Sequence, residues 1–60
     1  MNEQIINSIA ANLNVKFSQV KSVLDLLEQG NTIPFIARYR KEATGALDEE
    51  QIRVINEHYE

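Results

Sequence analysis

The sequence predicts an all-α protein in which four short helices form a compact bundle with helix-turn-helix character. Apolar residues recur at helical spacing through most of the 60 residues, and no strand-like alternation occurs. Capping residues and helix breakers divide this pattern into four segments. Cysteine is absent, which excludes disulfides, so helix packing, oligomerisation or a larger parent protein has to stabilise the single small module expected over residues 1–60.

The first segment extends over residues 3–13, and its apolar side chains lie on one helical face. Asn2 is the predicted N-cap, because its side chain can accept a free backbone N–H of the first turn. Asn14 is expected to end the helix in a left-handed conformation, which would let Val15 fold back on Ala10.

The second segment extends from Ser18, the predicted N-cap, to Gln29, and Gly30 is expected to end it. Apolar side chains cover about half of this helix, which predicts a central position with neighbours on two sides. These side chains are Val20, Val23, Leu24, Leu26 and Leu27, preceded by Phe17.

The third segment starts at Ile33 or Pro34, since proline suits a first helical turn, and it extends to Lys41. Its predicted apolar side consists of Phe35, Ile36 and Tyr39. Arg38 and Lys41 are expected on the opposite side, with Arg40 at the edge beside Ile36. Residues 42–46 are predicted to be a connector that bends at Gly45.

The fourth segment has the clearest start signal. Asp48 and Gln51 have the spacing of a capping box, and Leu47 and Ile52 have the spacing of a hydrophobic staple across it. No glycine ends this helix, and acidic residues in its last turn have the wrong sign for a helix C-terminus. We therefore expect the polypeptide to continue past Glu60 as part of a longer, multidomain protein.

The four segments are expected to share one interior. The predicted core residues are Ile9, Val20, Leu24, Leu27, Phe35, Ile52 and Ile55. The second and third segments have the shape of a helix-turn-helix, joined by a short connection that contains Gly30. Sequence-specific DNA reading is not expected, because the first turn of the third segment offers apolar side chains and Pro34 to the bases.

The net charge is −3 with a pI near 5.0, which argues against a free-standing nucleic-acid-binding domain. No apolar run approaches the roughly 20 residues that span a membrane, and the N-terminus does not resemble a signal peptide. A cytoplasmic location without membrane association is expected.

No enzyme, cofactor or metal site is expected. His58 is the single histidine and lies in the last turn without a second ligand on its face, so we interpret it as exposed. Consecutive carboxylates at Asp48, Glu49 and Glu50 suit the helix dipole without binding a metal. The sequence contains neither a glycine-rich phosphate loop nor a recognisable Ser-His-acid arrangement.

The stretch Asn31–Glu50, and above all IPFIARYRKEAT at residues 33–44, resembles the N-terminal region of the Tex family of bacterial transcription accessory proteins. The preceding segments also resemble that region, so the resemblance covers essentially the whole chain. Ala46 departs from the pattern, because glycine is expected there more often.

The resemblance implies a longer protein that binds nucleic acid, RNA or DNA, during transcription. Its members continue into an RNase H-like domain, helix-hairpin-helix elements and a C-terminal S1-type RNA-binding domain of the OB class. The implied role of this chain is that of a scaffold segment packed on later domains of its parent, with transcription machinery as a further partner. The alternative is a protein-interaction or dimerisation module without nucleic-acid contact.

The candidate contact residues are Arg38, Arg40 and Lys41. Together with Tyr39 they would suit phosphates and a stacked base. Two other interpretations remain open. The cations could pair with acids, as Arg38 could with Glu42 four residues on, or with another domain, and they could also form an ordinary solvated face.

Overall fold

The computed structural model describes residues 3–59, and all regular elements in this part of the chain are helices. They are α1 (Glu3–Leu13), α2 (Phe17–Glu28), α3 (Ile33–Tyr39), α4 (Lys41–Thr44) and α5 (Glu49–Tyr59). They pack into a body of about 27 × 20 × 16 Å. The predicted all-α bundle is therefore confirmed, whereas the proposed cap Asn2 and the terminal Glu60 lie outside the described residues.

Two predicted helix ends are confirmed. Asn14 adopts a left-handed conformation with φ 58°, and the Val15 N–H donates to the carbonyl of Ala10 at 3.0 Å. This hydrogen bond closes a Schellman motif, which satisfies a carbonyl left free by the last turn of α1. Gly30 ends α2 at φ 98°, a conformation that glycine adopts without a Cβ penalty.

The predicted start of α2 was wrong by two residues. Lys16, rather than Ser18, is the N-cap, and it has an extended conformation. The Lys16 side chain is a cation with no acceptor, so it cannot cap the helix itself. Instead, the Gln19 side-chain oxygen accepts the Lys16 backbone N–H at 2.9 Å, which supplies one half of a capping box.

The third predicted segment is confirmed as a helix, but it ends at Tyr39 rather than at Lys41. Thr32 is the N-cap of α3, and its hydroxyl accepts the Phe35 N–H at 3.3 Å, while Pro34 lies in the first turn as predicted. At Arg40 the backbone leaves the helical region, with φ −125° and ψ 36°. The chain then forms α4 where a connector was predicted, and Gly45 ends this turn with φ 71°.

The capping box of α5 is confirmed. The Asp48 carboxylate accepts the Gln51 N–H at 2.8 Å, and the Gln51 side-chain oxygen accepts the Asp48 N–H at 3.0 Å. Leu47 and Ile52, the two residues of the predicted staple, are both buried. Local interactions alone therefore fix where α5 begins.

Helix α2 is central, as predicted, and it contacts each of the other four helices. The core residues are Ile6, Ile9, Ala10, Val20, Val23, Leu24, Ile36, Leu47, Ile52 and Ile55. Leu27 packs against this core from a half-buried position. The placement of Phe35 in the core was wrong, because its side chain is 37% exposed and Ile36 is buried instead.

Thr44 is fully buried although it is polar. Its hydroxyl accepts the Leu47 N–H at 3.3 Å, and its carbonyl accepts the side-chain N–H of Gln19 at 2.9 Å. Because buried polar groups are costly without partners, these bonds are what permits burial at this position. The second bond also links α2 to the end of α4.

Candidate contact surface on helices α3 and α4

The burial of Ile36 determines which side chains α3 presents to the outside. Ile36 is fully buried against the core, so Phe35 and Tyr39, which are four residues apart, share an outer face. Tyr39 is 57% exposed, and its ring centroid lies 5.1 Å from that of Phe35 with the planes tilted by 48°. Such tilted aromatic pairs are favourable beyond the area they bury.

Arg40 lies against this ring pair. Its guanidinium carbon is 5.3 Å from the centroid of Phe35, and one of its nitrogens donates to the carbonyl of Tyr39 at 3.3 Å. In an unbroken helix, side chains five residues apart would point about 140° away from each other. The break at Arg40 is what brings this cation over the ring, where a cation–π contact stabilises it.

A groove of about 510 Å³ runs along the outer side of α3 and is called the α3 groove below. It is bordered by aromatic, cationic and small side chains together with one acid. The lining residues are Pro34, Phe35, Ala37, Arg38, Tyr39, Lys41 and Glu49. It therefore combines apolar and polar surface with two positive charges and one negative charge.

The two cations of the α3 groove form no ion pair within residues 3–59. The pairing of Arg38 with Glu42 that their spacing allows is absent, and Lys41 also has no carboxylate partner there. The one acid that lines the groove, Glu49, instead has a carboxylate oxygen 3.9 Å from a guanidinium nitrogen of Arg53. Arg38 and Lys41 thus carry positive charges that no acid in the described chain neutralises.

A second hollow, of about 360 Å³, lies on the far side of α2 beside the end of α5. It is lined by Leu24, Leu27, Glu28, Asn56 and Tyr59. Its one charged residue is acidic, so it is the less suitable of the two sites for a polyanion.

Comparison with known proteins decides the family. The model of the Tex-like protein N-terminal domain matches residues 3–60. This chain belongs to that family. No solved structure was found to match it.

Several relatives resemble this Tex-like domain closely. The protein tex of Bordetella pertussis is 50% identical over 52 residues, which cover 87% of this chain and 7% of the relative. The transcriptional accessory protein Tex of Neisseria gonorrhoeae is 45% identical over 53 residues, which cover 88% of this chain and 7% of the relative. The human S1 RNA-binding domain-containing protein 1 is 32% identical over 60 residues, which cover 100% of this chain and 6% of the relative. The Tex-like domain thus spans about 7% of the length of its bacterial relatives.

The structure separates the three cations that the sequence grouped together. Arg38 and Lys41 line the α3 groove of the Tex-like domain, whereas Arg40 is half-buried and lies over Phe35. The sequence predicted Phe35 in the core and did not reveal it as an outer ring. The spacing of four residues between Phe35 and Tyr39 indicates that the two rings share one helix face. That face is the outer one when Ile36 is the residue that points inward.

The remaining residues considered for chemistry do not come together. Among the described residues no group of three His, Cys, Asp or Glu side chains is placed to hold a metal ion. His58 is exposed in the last turn of α5, as predicted. Within the same residues, no helix of the Tex-like domain has the length and apolar character that a membrane span requires.

Proposed function

We propose that this chain is the N-terminal helical segment of a longer Tex-type transcription accessory protein, which binds nucleic acid, RNA in particular, as a whole. The segment itself is non-catalytic. It packs on later domains of its own polypeptide and helps to shape the scaffold that binds the nucleic acid. Transcription machinery is a further partner, and the location is cytoplasmic.

The family match over residues 3–60 is the observation that carries this proposal. A relative is named as a transcriptional accessory protein, and a more distant one is named for an S1 RNA-binding domain. Both relatives are far longer than this chain, which supports a role as one segment of a larger protein. The negative net charge supports a scaffold role over independent binding of a phosphate backbone.

A titration of the longer polypeptide with single-stranded RNA tests the proposal. We expect binding that weakens linearly with the logarithm of salt concentration, because cations of the protein displace counterions from the phosphates. Deletion of residues 1–60 is expected to weaken binding and to lower the unfolding temperature. A polypeptide that binds no RNA, or that binds and unfolds identically after the deletion, would contradict the proposal.

The same titration examines Arg38, Arg40 and Lys41, which remain candidates for contact with nucleic acid or with a neighbouring domain. If all three contacted phosphates of a single strand, their replacement by alanine would reduce the salt slope by about 2. The matched control replaces Lys16, Lys21 and Arg53, which removes the same charge elsewhere. Equal affinities and equal slopes for the two variants would assign the first three cations to a contact other than nucleic acid.

A protein-interaction or dimerisation module is the second candidate function. It is favoured by the exposure of Phe35 and Tyr39, at 37% and 57%. Aromatic residues of this kind are enriched where proteins bind each other. Light scattering at high protein concentration distinguishes the self-association form of this hypothesis: a dimer supports it, whereas a monomer counts against it.

A further inference from the structure

The α3 groove has the composition of a protein-binding hot spot. Tyr39 is more than half exposed at 57%, and Phe35 lies beside it in a fixed tilted pair. Tyrosine and arginine dominate the binding energy of many protein interfaces, particularly where apolar rings form the centre of the patch. Arg40 lies over the Phe35 ring and donates to the Tyr39 carbonyl, so the aromatic surface is already ordered before a partner arrives.

The charges of the groove specify the partner further. Arg38 and Lys41 line it without an acid partner among residues 3–59. A guanidinium binds a carboxylate through two parallel hydrogen bonds, and an ammonium adds a point charge beside it. The complementary surface therefore carries carboxylates next to an apolar side chain.

Three features favour a polypeptide over a nucleic acid as this partner. A nucleic acid carries a charge at every phosphate, so Glu49 in the groove and the net charge of −3 disfavour it more than a peptide with only a few carboxylates opposite Arg38 and Lys41. Arg40, which a continuous track of phosphate contacts would need, lies against Phe35 instead of in the groove.

We propose that the α3 groove is the docking site for an acidic segment of the longer polypeptide, whose carboxylates bind Arg38 and Lys41 while an apolar side chain packs on Phe35 and Tyr39. This inference rests on the proposed function, because it takes the chain to be part of a longer protein. The relatives have ample polypeptide to supply the segment, since the matched region is only 7% of their length.

Hydroxyl-radical footprinting, which measures side-chain exposure, tests the docking site on the 60-residue chain and on the longer polypeptide. We expect labelling of Tyr39 to fall several-fold in the longer polypeptide, because its exposed ring becomes covered. Labelling of Ile36, which is fully buried, should be low in both and reports that the helices remain folded. Equal labelling of Tyr39 in the two proteins would overturn the proposal.

A matched pair of variants of the longer polypeptide tests the charge argument. Arg38→Glu should restore Tyr39 labelling to the level of the 60-residue chain, since it places an acid opposite the carboxylates of the partner segment. Lys16→Glu makes the same charge change at another exposed, unpaired cation and should leave Tyr39 protected. Protection that survives Arg38→Glu, with Ile36 still unlabelled, would overturn the proposal of an acidic partner.

The outcome also separates this inference from the proposed function. Protection of Tyr39 that appears only after a single-stranded RNA oligonucleotide is added would assign the groove to nucleic acid and overturn the docking proposal. RNA binding by the longer polypeptide without any protection of Tyr39 would leave the proposed function standing and remove the inference. Protection of Tyr39 in a polypeptide that binds no RNA would support the docking site and contradict the proposed RNA binding.

Discussion

At the scale of single residues, Ala46 adopts a conformation that suits glycine better. Its φ is 67°, directly after Gly45 at φ 71°, so two successive residues are left-handed. The Ala46 N–H donates to the Lys41 carbonyl at 2.8 Å, which satisfies the end of α4 and fixes this geometry. An L-residue with a Cβ atom pays about 1–2 kcal/mol for the left-handed conformation.

We therefore predict that Ala46→Gly stabilises the chain. Relief of the left-handed strain outweighs the greater freedom of glycine in the unfolded chain, for a net gain of about 0.5–1 kcal/mol. Urea denaturation measures the change. The control is Ala43→Gly in the helical turn of α4, which should lose about 0.5–1 kcal/mol; equal losses for both variants would show that Ala46 is not strained.

Phe35 and Ile36 are neighbours with opposite surroundings. Ile36 is fully buried, and we predict that Ile36→Ala costs about 2–5 kcal/mol, because it removes core contacts and leaves a cavity. Phe35→Ala should cost about 1 kcal/mol, since the ring is partly exposed and contacts Tyr39 and Arg40. Urea denaturation compares the two, and an equal or larger loss for Phe35 would contradict this arrangement.

At the scale of elements, one side chain connects two helices. Gln19, in the first turn of α2, binds the backbone of Lys16 and the carbonyl of Thr44 at the end of α4. A Cβ atom added to Gly45 would collide with the amide of Gln19. Glycine is therefore favoured at this position both by its positive φ and by the close approach of this flexible side chain.

We predict that Gln19→Ala destabilises the chain by about 1–2 kcal/mol, because it removes the hydrogen bonds to the Thr44 carbonyl and to the Lys16 N–H. Gln29→Ala, at the exposed end of α2, is the control and should change stability by less than about 0.5 kcal/mol. Gly45→Ala should cost less in the Gln19→Ala background than alone, since the collision is then removed. Strictly additive losses would exclude the proposed contact.

The elements differ in how far the sequence predicts them. The ends of α1 and α2 and the start of α5 follow from residues within one turn, so they were predicted correctly. The start of α2 was missed because the N-cap, Lys16, has no capping side chain. Its backbone N–H instead donates to the side-chain oxygen of Gln19. Helix α4 was missed because residues 42–46 were interpreted as a connector that bends at Gly45, although the chain forms one helical turn before this glycine.

At the scale of the whole molecule, apolar packing contributes more to folding stability than ion pairs do. Ten apolar residues form the core around α2, whereas the ion pairs within the described chain are exposed and lie at 3.2–3.9 Å. Exposed pairs of this kind contribute little, because water and salt screen them and their side chains lose freedom. The apolar interior is therefore the main source of stability.

We predict that the free energy of unfolding of the 60-residue chain changes by less than about 1 kcal/mol between low and high sodium chloride. Urea denaturation is suited to this measurement because urea carries no charge. The variant Arg53→Ala, which removes two of the exposed pairs, should be similarly insensitive. A loss of several kcal/mol in high salt would mean that electrostatics dominates.

The candidate site was only partly predictable, because its geometry depends on how the helices pack. The sequence identified Arg38, Arg40 and Lys41 as the cations of interest, yet their grouping depended on how α3 packs. Burial of Ile36 turns Phe35 outward, and the break at Arg40 moves that cation out of the groove and onto the ring. Neither event can be read from the spacing within the segment.

The sequence by itself determined the helical class, most helix ends and the capping box at Asp48, because these depend on interactions between residues a few positions apart. Only the tertiary structure decided that Ile36 rather than Phe35 enters the core, that Thr44 is buried, and that Gln19 reaches α4. Each of those outcomes rests on contacts between residues far apart in the chain, which no local pattern records.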